Sequence, residues 1–300
     1  MFNKRTDLAV EAWQIAGEQA QEKGKLSGVD TREYTEGGAT ITVVDILDER
    51  GEQAVGKPRG RYVTLEFDPN HISDQFTSIV ETAAKELKGL MPEHVDPDTA
   101  SVLVIGLGNW HITPDAIGPR TIENIMVTRH LVEQVPEYFS SYRPVSALAP
   151  GVLGITGMES LDIIRGVCSN VKPDFIIAVD ALVSRSVSRL CRTIQFSNTG
   201  ISPGSGIGNT RASIGRDTLG IPVIAAGIPT VVDAATLAYD MVEQSGGSPD
   251  AALLEKMSGT LHVSPKDVDK KVQDIAKLLG YAINMALHDF SVEDITSFLS

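Results

Sequence analysis

The spacing of hydrophobic positions changes near residue 101, and that change divides the chain into two textures. In residues 6–24, Leu8, Ala12, Ile15 and Ala16 fall on one helical face, with polar residues elsewhere; this spacing predicts an amphipathic helix. Residues 26–38 are polar and glycine-rich and read as a loop. The runs 40–46 and 60–66 are rich in β-branched residues and predict two strands. The polar segment 48–58 between them fits an antiparallel pair. In residues 72–90, Phe76, Ile79, Val80, Ala83 and Leu87 mark a second amphipathic helix.

From residue 101 onward, short apolar runs alternate with helical segments. Strands are predicted at 101–106, 145–149, 174–180, 191–197 and 221–227. Helices are predicted at 116–132, 156–170 and 231–244. Continuous apolar runs separated by helices read as a parallel sheet covered on both faces. Residues 245–250 read as a turn. Residues 265–289 predict one long helix opened by Ser264-Pro265. The expected architecture is α/β: a three-layer, mostly parallel sheet with helices on both faces, and a small antiparallel strand appendage at about 39–66, all in one domain.

Composition narrows the class without naming a function. The apolar fraction of 42% is ordinary for a globular chain. The formal net charge of −13 argues against duplex nucleic acid and against a polybasic membrane anchor. No apolar stretch approaches the roughly 18 residues needed to span a bilayer. The first seven residues carry Lys4 and Arg5 but no apolar run behind them, so no signal peptide is expected. Cys168 and Cys191 both sit in apolar patterns and read as buried thiols. A reducing, cytosolic compartment fits this usage.

Candidate chemistry gathers on two aspartates. Asp180 closes the run Phe175-Ile176-Ile177-Ala178-Val179. Asp115 follows the run Val102-Leu103-Val104-Ile105 after the turn Gly106-Leu107-Gly108-Asn109. The carboxyl ends of strands in an open α/β sheet are where ligands bind. By spacing alone, Asp180 equally fits a salt bridge or a helix cap, and Asp115 fits the N-cap of the helix at 116–132.

The glycines do not make a nucleotide site. The third glycine of a dinucleotide fingerprint would fall at His111, so Gly106 to Asn109 reads as a tight strand-to-loop turn. The densest glycine run, 203–209, has no Gly-Lys-Ser/Thr after it and is not a phosphate loop. It reads either as a surface loop or as backbone N–H groups approaching a substrate. No G-x-S-x-G elbow occurs, and the histidines show no zinc spacing.

Several longer segments resemble the germination protease family. They include Lys57-Pro58-Arg59-Gly60-Arg61-Tyr62-Val63-Thr64-Leu65-Glu66, Gly106 to Asn109 with Thr113-Pro114-Asp115-Ala116, and Pro173-Asp174-Phe175 through Asp180-Ala181-Leu182. Gly204-Ser205-Gly206-Ile207-Gly208-Asn209 and Gly227-Ile228-Pro229-Thr230 belong with them, and the resemblance runs from residue 5 to about 288. It implies a fold like that of hydrogenase maturation endopeptidases. It also implies an endopeptidase that initiates degradation of small acid-soluble spore proteins during germination, in the cytoplasm of the spore core or forespore. The implied enzyme is a homotetramer without cofactor, direct nucleic-acid contact or membrane association.

The family's two essential aspartates match Asp115 and Asp180. The family is made as a self-processing zymogen and cuts after an acidic residue, before an apolar residue and Ala. Asp7-Leu8-Ala9 fits that pattern, so the resemblance implies cleavage at Asp7–Leu8, a propeptide of residues 1–7 and a peptidase domain of residues 8–300. Three departures stand out: Lys4 where the family prefers an acid, a short turn in place of an insertion after 231–244, and Ser202 where many relatives have His.

Two carboxylates serving one bond would share a proton, one activating water and the other polarising the carbonyl. Gly204, Ser205 and Gly206 are candidates to bind substrate backbone, and Arg185 to read the acidic residue. No metal site is expected. A divalent-metal peptidase using the same aspartates, and a non-catalytic binding protein using the same cleft, are the alternatives.

Overall fold

A computed structural model describes residues 4–20, 26–69, 72–96, 99–204 and 212–300. Its nine strands are β1 (Val29–Glu36), β2 (Ala39–Ile46), β3 (Gly60–Phe67), β4 (Val102–Gly106), β5 (Val145–Leu148), β6 (Phe175–Ser184), β7 (Thr193–Ser197), β8 (Val223–Asp233) and β9 (His262–Val263). They form one sheet in the order β1-β2-β3-β7-β8-β6-β4-β5, with β9 also on β8. The half β8-β6-β4-β5 is parallel. The half β1-β2-β3-β7 is antiparallel and joins it through the antiparallel β7–β8 pair. The expected strand appendage is therefore hydrogen-bonded into the main sheet, in register from Tyr62↔Ser197 to Glu66↔Thr193.

Both faces of this sheet are covered, as the apolar runs require. On one face, Val104, Ile177, Val179, Phe196 and Ile228 pack with Ile79 and Leu87 of the helix Ile72–Lys88 and with Ile275, Leu279 and Ile283 of the helix Val268–His288. On the other face, the helix Ser160–Val171 sets Leu161, Ile164 and Cys168 against Leu103, Ile105 and Ile176. The helix Ala9–Gln19 sets Ala9, Ala12, Trp13 and Ala16 against Val44, Ile46 and Tyr62 of the antiparallel half. Among the described residues, no helix is long and apolar enough to cross a membrane.

Several elements differ from expectation. The loop at 26–38 contains β1, an edge strand whose partner register is set by the turn Gly37-Gly38, both at positive φ (57° and 82°). The polar segment after β2 includes the helix Glu49–Val55, whose N-cap Asp48 accepts from the Arg50 and Gly51 amides. The helix expected at 116–132 is broken into Ile117–Ile122 and Arg129–Gln134. Between them, buried Asn284 of the long helix accepts from the Met126 amide and donates to the Asn124 carbonyl, taking groups that a continuous helix would use itself. Finally, β8 runs on through Val231 and Val232, which pair with Val183 and Ser184, so the next helix starts at Ala234 behind the cap Asp233.

Candidate active site

The site begins where β4 stops. Gly106 pairs with Val179, the Leu107 amide donates to the Val179 carbonyl, and the chain then leaves the sheet. β6 does not stop with it. Asp180, expected at a strand end, lies within β6, which continues to Ser184. Its carboxylate therefore stands beside the open carboxyl end of β4, 6% exposed, accepting from the Ala181 amide at 2.9 Å.

Register extends this row across three strands. Asp180 pairs with Gly227 of β8, and Gly227 pairs with Gln195 of β7. Val179, Ala226, Ile228 and Phe196 on either side face the core. The period of two therefore turns Asp180, Gly227 and Gln195 to the opposite face. Gly227 is the floor between two polar side chains, and a Cβ there would lie 2.4 Å from Leu182 Cδ1.

Asp115 arrives from the loop after β4. It ends a single 3-10 turn, Thr113–Asp115, that packs on β6 and β8. The Thr230 hydroxyl of β8 donates to the Pro114 carbonyl at 2.7 Å. The Asn109 amide donates to the Asp115 carboxylate at 2.9 Å. Asp115 does not cap the helix Ile117–Ile122, whose N-cap is Ala116 without a side-chain bond. The glycines earlier read as a tight turn make this approach possible. Gly108 has φ 116°, and a Cβ on it would lie 1.9 Å from the Asp115 carbonyl oxygen.

Asp115 and Asp180 line one cleft of about 1210 Å³, together with Lys57, Gln195, Gly204 and Asp7. Asp7 enters because the N-terminal segment runs along β6. Its amide donates to the Val183 carbonyl at 2.8 Å, and the Val183 amide donates to its carboxylate at 2.9 Å. Gln195 grips both sides of the next bond: its amide nitrogen donates to the Asp7 carbonyl and its oxygen accepts from the Ala9 amide. Leu8 is fully buried with Val10 and Leu182. The Lys57 ammonium donates to the Thr6 carbonyl at 3.5 Å. Thr6 Oγ accepts from the Leu8 amide and donates to Glu11. Farther out, Lys4 pairs with Asp240 and Glu243, and the Arg5 guanidinium donates to Ser258.

Electrostatics separates the other candidates. Arg185, expected to read an acidic residue, is not among the residues lining the cleft; its guanidinium pairs with Asp240 at 2.9 Å and Glu18 at 3.4 Å. Burial pushes the Asp240 carboxyl up, but bonds from Arg185 and Lys4 outweigh it and hold the carboxyl below the usual range. Lys57 shows the opposite balance. Withdrawal of its ammonium from water lowers its pKa, against the pull of the Asp7 and Glu11 carboxylates. Burial pushes the Cys191 thiol up to about 12 and raises Cys168 as well, so neither is a ready nucleophile. His262 also lines the cleft, and burial lowers its pKa.

Of the glycine-loop candidates, Gly204 lies at the cleft, while Ser205 and Gly206 lie outside the described residues. The base of that loop is closed by reciprocal bonds between Ile201 and Ile214. Among the described residues, no three His, Cys, Asp or Glu side chains converge to hold a metal ion. Lys57 and Gln195 were not singled out from sequence. Gln195 had a signal, a polar residue between two apolar ones in Ile194-Gln195-Phe196; Lys57, in a polar loop, had none.

The germination protease family model matches residues 9–244. The germination protease of Clostridium tetani is 43% identical over 324 aligned positions, spanning 99% of this chain and 99% of that protein. That of Caldanaerobacter subterraneus is 46% identical, spanning 94% of each. That of Bacillus velezensis is 41% identical, spanning 98% of this chain and 95% of that protein. Among solved structures, the chain is similar to the NiFe hydrogenase maturation protease HycI from Thermococcus kodakarensis. The TM-score there is 0.36 and the identity 15%, over 66% of this chain and 98% of that one.

Proposed function

The chain belongs to the germination protease family and is by that membership a peptidase; from that premise we propose that it is an endopeptidase that initiates degradation of small acid-soluble spore proteins, with Asp115 and Asp180 as its acid–base pair. The observation that carries this reading is the shared cleft. Both carboxylates line it with Asp7, whose bond to Leu8 has the acidic–apolar–Ala form of the family's cut. Residues 1–7 are then a propeptide whose described part, residues 4–7, runs into the site it blocks, and residues 8–300 the mature chain. Assembly as a homotetramer in the spore core belongs to the same reading and is tested by sedimentation.

Two carboxylates that serve one bond cannot both ionise cheaply, so the pair carries one proton. The ionised member takes a proton from water as the water oxygen adds to the scissile carbonyl carbon. The protonated member gives its proton to the carbonyl oxygen. On collapse, the first returns its proton to the leaving nitrogen, the second takes one back from the diol, and the C–N bond breaks. The pair ends with the single proton it began with. Which aspartate holds it first is a property of the coupled pair.

The test is cleavage of a peptide bearing an acidic–apolar–Ala sequence. Asp115→Asn and Asp180→Asn should each lower kcat/KM by at least about 10²-fold and leave the N-terminus at residue 1. Wild-type chains should begin at Leu8 by mass spectrometry. Retained activity in either variant would remove that aspartate from the chemistry. Activity should also persist after chelation; loss that a divalent metal restores would make the carboxylates metal ligands instead.

A further inference from the structure

We propose that Lys57 is the residue that selects the acidic side chain on the N-terminal side of the cut bond. This rests on the peptidase reading and on Asp7–Leu8 as a bound example of the substrate. The ammonium lies 3.5 Å from the Thr6 carbonyl, so it flanks the stretch of chain that carries Asp7. It lines the same cleft as Asp115 and Asp180.

The other cations nearby are placed differently. Arg185 is committed to Asp240 and Glu18, and Arg189 to Glu11 and Glu66. Arg59 and Arg216 line the cleft but are exposed, where a charge discriminates weakly. Among the described residues, Lys57 is the cation that lines the cleft with its ammonium withdrawn from water and drawn by the charges of Asp7 and Glu11. A desolvated ammonium is costly unless a negative group meets it. Glu11 lies after the cut and stays with the mature chain, while Asp7 leaves with the propeptide. Release therefore takes one of the two negative neighbours away, and an incoming Glu or Asp replaces it. A neutral isostere fills the same space without the charge.

The full chain, its N-terminus read by mass spectrometry, is given two peptides that differ only by Glu or Gln before the cut. Wild type should prefer Glu by on the order of 10–100-fold in kcat/KM, the scale of one charged hydrogen bond. Lys57→Met should bring that ratio close to one by losing activity on Glu alone. Lys57→Gln should do the same, and Lys57→Arg should keep most of the preference. Arg59→Gln should leave the ratio as in wild type. Equal losses on both peptides in Lys57→Met and Lys57→Gln, with the ratio intact, would overturn the assignment. So would a ratio that collapses in Arg59→Gln but not in the Lys57 variants. A wild-type enzyme that cuts neither peptide would instead remove the peptidase reading beneath it.

Discussion

Glu11 is 1% exposed and still meets a full set of donors. Its carboxylate accepts from the hydroxyls of Thr6 and Ser184, the amides of Arg185 and Ser186, and the guanidinium of Arg189. These come from the N-terminal segment, the end of β6 and the turn beyond it. One buried charge therefore fastens the first helix to the strand that carries Asp180. Glu11→Ala should cost about 3–5 kcal/mol, because the Arg185 amide loses the acceptor it has here and Arg189 loses its buried carboxylate, keeping Glu66 and Gln14. The midpoint of urea unfolding reads this, and a change below about 1 kcal/mol would make the cluster incidental. From sequence, Glu11 was one more polar residue on an amphipathic helix. Apart from Thr6, its partners are more than 170 residues away, and nothing local marks such a contact. The apolar runs before the two aspartates pointed to the part of the sheet where they share a cleft, although Asp180 lies within β6 and not at its end, and the turn at Gly108 carried its own signal. Lys57 and Gln195 gain meaning only from what the N-terminal segment lays across them.

Among elements, the buried parallel strands were the most readable, since four or five consecutive apolar residues allow few other fates. β1 was not, because an edge strand shows alternate side chains to water and spells no apolar rhythm; only Gly37-Gly38 pointed to it. The last helix, Val292–Leu299, was also overlooked, although Ser291 and Asp294 form a capping box and Ile295 is fully buried. The helix before it ends in a titratable contact. His288 stacks on Phe290 at 5.6 Å, and its pKa falls to about 4 through burial and the charge of Arg143. A histidine held neutral in the fold titrates near 6.5 when unfolded, so the unfolded chain binds the extra proton first. The stabilisation is complete above about pH 6.5 and is lost as pH falls toward 4. Unfolding free energy should drop by on the order of 1–2 kcal/mol from this group between about pH 7 and about pH 5. His288→Phe should remove that part of the pH dependence; an unchanged slope would place the proton elsewhere.

At the scale of the molecule, one sheet changes its sense at β8, parallel to β6 on one side and antiparallel to β7 on the other. The cleft sits across that change. Its N-terminal occupant is held in two ways. Residues 4–7 are fixed by ion pairs and hydrogen bonds. From Leu8 onward the hold is apolar, with Leu8 and Ala9 sealed from water. Lys4→Ala should speed amide exchange at residues 4–7 by on the order of 10–100-fold, the worth of a charged hydrogen bond, and leave 9–19 unchanged. Uniform exchange along both parts would contradict a hold that changes character at residue 8.

The pairing of Asp7 with Val183 has a consequence for what is left after a cut. While the segment is in place, the rim of β6 is taken. In the proposed processed form, which lacks residues 1–7, the Val183 N–H and C=O would face outward as an unfilled docking rail, in the same strand as Asp180. Such a rail accepts any extended backbone through its own amides, by strand addition, and leaves the choice of sequence to the side-chain positions around it. In the proposed zymogen, the leader peptide would thus serve as a template that holds open the shape of its successor.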